Sequence, residues 1–154
     1  MAALKLPRPI TEDVVSTIRR CGDGRRECIA YVVASISSRQ RASGVLHPEH
    51  TATAVSTEVG PGELERVWEK LASAQQTIVL QVHSHPGAAH HSGIDDRWPV
   101  VHRVGFPSLV LADFGAAGLT GSHLAIYLGN GKWESPPPDR WSDYLVCSNM
   151  EDDR

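Results

Sequence analysis

The sequence predicts an α/β domain, because two helix-then-strand units can be read along it. In one unit Leu64, Val67, Trp68 and Leu71 fall at i, i+3, i+4 and i+7, an apolar stripe on one helical face. That stripe runs straight into Thr77-Ile78-Val79-Leu80-Gln81-Val82, a run of the length and character of a buried strand. In the other unit, Val14, Val15 and Ile18 give an apolar face ahead of Arg26 to Ser37. This segment is rich in β-branched and aromatic residues (Ile29, Tyr31, Val32, Val33, Ile36) and reads as a central strand.

The first helix is expected to begin at Thr11 as N-cap, with Glu12 and Asp13 in its first turn. Arg19 and Arg20 suit the negative end of its dipole, and Gly22 and Gly24 stop it. After the first strand, Ser37 to Gly44 is polar and reads as a loop. Val45-Leu46-His47-Pro48-Glu49-His50 carries a pair of histidines, but no third ligand follows at a supporting spacing, so it is read as a loop and not a metal site. Thr51 to Val59 alternates loosely, as a strand of a twisted hairpin does. Gly60-Pro61-Gly62 opens the second helix, and Trp68 is expected in the core. Beyond the Thr77 run, Trp98 to Val104 is expected as a short helix broken by Pro99. Leu109-Val110-Leu111-Ala112 marks a further buried strand, and Gly115 to Gly121 a loop of small residues. His123 to Leu128 turns through Gly129-Asn130-Gly131 into Lys132-Trp133-Glu134, a hairpin. Pro136-Pro137-Pro138 ends the regular fold. Residues 1–135 are expected to form the single domain, and 136–154 an extension that packs on it through Trp141 and Tyr144 or is partly disordered.

Composition narrows the function classes. At 154 residues, 41% hydrophobic and 21% charged, the chain is a globular domain of ordinary size. A net charge of −3 gives no electrostatic case for nucleic acid. No apolar run approaches the roughly 18 residues of a membrane span, and Met1 to Pro9 lacks the apolar block of a signal peptide, so a cytoplasmic location is expected. Cys21, Cys28 and Cys147 form no Cys-x-x-Cys pair and are expected as reduced thiols, Cys28 in the core.

The chemistry is concentrated in His83-Ser84-His85-Pro86-Gly87-Ala88-Ala89-His90-His91-Ser92-Gly93-Ile94-Asp95-Asp96. His83 and His85, two apart at the end of a strand, emerge on the same side, and Pro86-Gly87 stops the strand. Asp95 follows after a loop long enough to fold back. Two imidazoles and a carboxylate make the open ligand set of a catalytic zinc, which keeps one position for water. A His-x-His pair alone is far more often ordinary strand-end surface. Here it stands in a longer pattern.

His-Ser-His-Pro followed by Ser-Gly-Ile-Asp resembles the signature of the JAMM (MPN+) zinc metalloproteases, His-x-His-Pro…Ser-x-x-Asp. That family carries an upstream glutamate as general base, and Glu27 in Arg26-Glu27-Cys28-Ile29 matches it. The resemblance implies zinc on His83, His85 and Asp95, proton transfer by Glu27, and stabilisation of the carbonyl oxygen by Ser92. For the fold it implies a mixed sheet flanked by helices, of cytidine-deaminase-like architecture. For function it implies hydrolysis of peptide or isopeptide bonds after the C-terminal tail of a ubiquitin-like protein. Gly105-Phe106-Pro107-Ser108-Leu109-Val110 is similar to bacterial stand-alone members, some of which sit beside conjugating and activating proteins in anti-phage operons. Processing of a sulfur-carrier protein uses the same chemistry. The degenerate, non-catalytic MPN-like scaffolds lose ligands that are all present here. Two departures stand out. The loop from His85 to Ser92 is one residue short, so counting from His85 favours Asp96 over Asp95 as ligand. Ala30 stands where the family usually has glycine. Zinc deaminases use a Pro-Cys-x-x-Cys arrangement, which is not in this sequence.

Overall fold

The computed structural model describes residues 2–90 and 100–148. In chain order the elements are β1 (Leu4–Pro7), α1 (Arg8–Gly22), β2 (Ile29–Ser35), β3 (Gly44–Leu46), β4 (Thr51–Ala52), β5 (Thr57–Glu58) and α2 (Pro61–Ser73). Then follow β6 (Gln76–Ser84), β7 (Pro107–Leu111), β8 (His123–Gly129), β9 (Lys132–Glu134) and β10 (Leu145–Ser148). Six of the strands form one mixed sheet, in the order β3-β2-β6-β7-β8-β9. Only β6 and β7 run parallel within it; the other neighbours are antiparallel. A parallel pair requires a crossover, and the connection from His85 to Phe106 supplies it, so the histidine string opens the crossover.

Each face of the sheet buries one helix. Ala30, Val32, Leu80, Val82, Leu109, Leu111, Leu124 and Ile126 pack with Val14 and Ile18 of α1. Ile29, Tyr31, Val33, Ile78, Phe106 and Tyr127 pack with Val67 and Leu71 of α2. Full burial of a side chain such as Ile18 or Leu71 contributes about 1.5–3 kcal/mol, so these few helix residues are enough to fix each helix to its face. The result is the α/β class, with a mixed sheet flanked by helices, that the sequence predicts.

A register shift interrupts the β2–β6 pair. Val32 lies opposite Leu80, whereas Val33 lies opposite Ile78, which leaves Val79 as an extra residue in β6. Consecutive residues Val79 and Leu80 therefore both join the α1-side core, while Ile78 turns to the α2 side. This is a β-bulge.

Several local expectations are corrected. α1 starts at Arg8 and not after Thr11: Pro9 fits the first turn, where its missing N–H costs nothing, and Pro7 precedes the helix. Thr11 Oγ1 instead donates to the Pro7 carbonyl at 3.4 Å. The helix ends at Asp23, which takes the left-handed conformation (φ 50°). β2 begins at Ile29, so Glu27 stands two residues ahead of the strand. Trp68 is 38% exposed, because Val67 and Leu71 occupy the centre of the buried stripe and Trp68 its flank. Residues 100–104 contain no helix. The cysteines are not all free thiols. Cys21 and Cys28 form a disulfide with their Cα atoms 6.0 Å apart, because the turn between α1 and β2 folds them together; Cys147 is free and exposed. Cys28 is fully buried, as expected. Near the two ends of the chain, β1 and β10 pair in parallel, Leu4 with Leu145 through Pro7 with Ser148.

Candidate metal centre

His83 is the penultimate residue of β6 and lies opposite Ile29 of β2. Continuing that antiparallel register by two residues on each strand sets His85 across from Glu27. The side chains meet there: Glu27 Oε1 is 3.8 Å from His85 Nε2. Between the two histidines, Ser84 points to the other face, where its Oγ accepts a hydrogen bond from the Cys28 N–H at 3.0 Å. The Ser84 N–H in turn donates to the Cys28 carbonyl at 3.1 Å. The alternation of β6 thus aims both imidazoles one way and uses the serine to clamp the strand carrying the glutamate.

The turn after His85 is braced from β7. The His85 N–H donates to the Leu111 carbonyl at 3.0 Å, the Asp113 N–H to Gly87 at 2.8 Å, and the Phe114 N–H to His85 at 2.9 Å. Asp113 and Phe114 take positive φ values of 51° and 55° to make these bonds. Such a conformation costs non-glycine residues roughly 1–3 kcal/mol each and persists where surrounding structure dictates it. Strain is held beside the histidines. Gly87, at φ 64°, makes the corresponding turn without that cost.

Glu27, His83 and His85 are each more than nine-tenths buried. The two imidazole rings stand edge-on with centroids 5.1 Å apart. The two imidazoles are borderline nitrogen donors in a poorly solvated corner, with the Glu27 carboxylate beside them, so the described residues fit a bound metal ion. Ser92, Asp95 and Asp96 lie outside the described residues. His90 and His123, neither given a role from the sequence, gather at the same corner. The His90 ring is 4.7 Å from that of His85, and His123 Nε2 is 3.0 Å from Ser135 Oγ. Burial first, then His90 and His85, hold the His123 pKa below the usual histidine value. His90 lies within the crossover and His123 at the start of β8, a pairing that no local spacing reveals. On the other side of Glu27, a cleft of about 310 Å³ is lined by Cys21, Arg26, Glu27, His47, His50 and Ala52.

Comparison with known proteins places this geometry in context. Residues 12–111, which include Glu27, His83 and His85, match the family described as prokaryotic homologs of the JAB domain. A Sinorhizobium fredii protein named as a probable metalloprotease, y4jG, is 30% identical over 139 residues, covering 86% of each chain. Among solved structures, a Desulfitobacterium hafniense protein superposes with a TM-score of 0.64 at 10% identity, covering 96% of this chain and 94% of that one. A JAB1/MPN domain protein from Archaeoglobus fulgidus superposes with a TM-score of 0.54 at 14% identity, covering 95% of this chain and all of the other.

Proposed function

Because the chain belongs to the family of prokaryotic homologs of the JAB domain, we propose that it is a zinc peptidase acting on a ubiquitin-like protein. It cleaves after the modifier's C-terminal tail, in deconjugation or in precursor processing. The family match and the relative named as a probable metalloprotease support a metal-dependent protease. The observation that carries the mechanism is the buried approach of Glu27 to His85, with His83 alongside.

His83, His85 and Asp95 would hold the zinc ion. When bound, zinc supplies Lewis acidity, bringing the pKa of a coordinated water to about 7 and polarising a carbonyl. Glu27 handles protons: its carboxylate takes one from the attacking water and passes it to the leaving amine. Ser92 donates a hydrogen bond to the carbonyl oxygen as charge develops there. Burial of Glu27 and the two imidazoles keeps bulk water from competing for these interactions.

The substrate side of this reading is an extended tail. β3 and β9 terminate the six-stranded sheet, and an extended peptide can pair with such an edge through its backbone. Small residues around the motif (Gly87, Ala88, Ala89, Gly93) suit a tail of glycines. Activating and conjugating proteins of a bacterial ubiquitin-like pathway, including those of anti-phage defence, are the proposed partners.

The test is cleavage of fusions in which a ubiquitin-like protein or a sulfur-carrier protein is joined to a reporter through its terminal Gly-Gly. Cleavage after Gly-Gly of the ubiquitin-like fusion is expected, and replacement of Gly-Gly by Leu-Leu should block it. Equal turnover of the Leu-Leu fusion rejects the tail-in-groove reading; turnover of the sulfur-carrier fusion alone reassigns the substrate.

A further inference from the structure

Cys21, Cys28, His47 and His50 each place one ligand atom within 4.8 Å of all the others. We propose that they form a second metal site, distinct from the histidine pair of β6, that takes zinc as a closed Cys₂His₂ tetrahedron. Cys28 Sγ lies 3.3 Å from His47 Nε2, and Cys21 Sγ lies 3.4 Å from His50 Nε2. Zinc–sulfur bonds of about 2.3 Å and zinc–nitrogen bonds of about 2.0–2.1 Å make tetrahedral sulfur–nitrogen edges of roughly 3.6 Å. Both distances are close to that edge.

The tautomer of His50 adds an independent argument. Its Nδ1 is 3.0 Å from the Pro48 carbonyl oxygen, which can only accept, so Nδ1 carries the proton. In the neutral ring, Nε2 then presents its lone pair toward Cys21 Sγ, oriented to bind a cation once the disulfide is reduced. A ring nitrogen fixed by a backbone carbonyl, leaving the other nitrogen to bind, is the usual support of a metal-ligating histidine.

The disulfide and the metal are alternatives for the same two sulfurs. A dithiol reductant transfers two electrons and two protons to the Cys21–Cys28 bond, giving two thiols and the oxidised reductant. Zinc then displaces both thiol protons. Four protein ligands leave no open position, so the site is structural and not catalytic. It joins the end of α1, the start of β2 and the β3–β4 connection at one point, directly beside Glu27. The Glu27 N–H already donates to the Thr53 carbonyl at 2.8 Å, just beyond His50 and β4. The metal would therefore hold the segment that carries the general base. That positioning role rests on the function proposed above; the metal site itself does not.

Cobalt substitution of the full chain, reduced under anaerobic conditions, separates the two sites. Thiolate ligands give a sulfur-to-cobalt charge-transfer band, which a set of histidines and a carboxylate cannot produce. The band is expected in the wild type, with about two metal ions per chain. It should persist in H83A/H85A, where stoichiometry falls to about one, and vanish in C21A/C28A. Retention of both metals by H83A/H85A would count against the β6 centre and leave the cysteine site standing. Absence of the band in reduced wild-type protein, with both thiols free to alkylation in the presence of zinc, overturns the proposal without recourse to any variant.

Discussion

Glu27 and His85 come from chain segments more than fifty residues apart in sequence, yet their side chains stand 3.8 Å from each other in the interior. The contact follows from the β2–β6 register, which pairs Ile29 with His83 and so carries Glu27 toward His85. In the proposed function His85 holds the metal, and the carboxylate beside it moves protons without being a ligand.

Glu27→Gln is accordingly expected to keep the fold and the zinc content while losing turnover. The amide preserves shape but cannot ferry a proton, and general acid–base catalysis is worth typically about 10²–10⁴-fold. A cleavage assay run beside a zinc determination checks this. Near-normal turnover by zinc-loaded E27Q protein would falsify the proton-transfer role.

The two aspartates are separable by metal content. Asp95→Ala is expected to abolish zinc retention at the β6 site and activity with it, whereas Asp96→Ala keeps both. Chelation of the wild type should give the same inactive state as D95A, but zinc should restore only the wild type. The opposite pattern between the aspartates means that the short loop after His85 has moved the ligand by one position.

Ser84 offers a prediction about stability. Its hydroxyl accepts the Cys28 N–H in a fully buried position. Ser84→Ala strands that N–H without its partner, which costs about 1–3 kcal/mol. Urea unfolding should show a lower midpoint with an unchanged slope. A shift below about 0.5 kcal/mol, within the scatter of ordinary surface substitutions, indicates that the clamp contributes nothing.

Elements governed by local pattern are legible in the sequence. The stripe of α2, the apolar runs of β6 and β7 and the Gly129-Asn130-Gly131 hairpin all appear where periodicity and turn residues predict them. Glu27, by contrast, is legible only through family resemblance, since a charge ahead of a strand has no distinguishing local context. Contacts made across the fold leave weaker traces. The β1–β10 pairing joins two four-residue strands from opposite ends of the chain, each too short for a periodic signal. His47 and His50 look like loop histidines when a further ligand is sought after them. The sulfurs beside them come from earlier in the chain, brought there by the turn after α1. No helix among the described residues is long and apolar enough to cross a membrane.

The extra residue at Val79 divides β6 into two lengths that answer to different demands. From Gln76 to Ile78 the strand is oriented by α2; from Leu80 to Ser84 it is oriented by the chemistry at its end. Deleting Val79 would set Ile78 directly before Leu80 and restore one continuous alternation, in which Ile78 still faces α2 and the histidines keep their side. With Val79 kept but drawn into the regular ladder, Ile78 and His83, an odd number of residues apart, would instead fall on opposite faces. The extra residue is therefore what lets a strand of this length bury Ile78 under α2 and still present His83 on that same face.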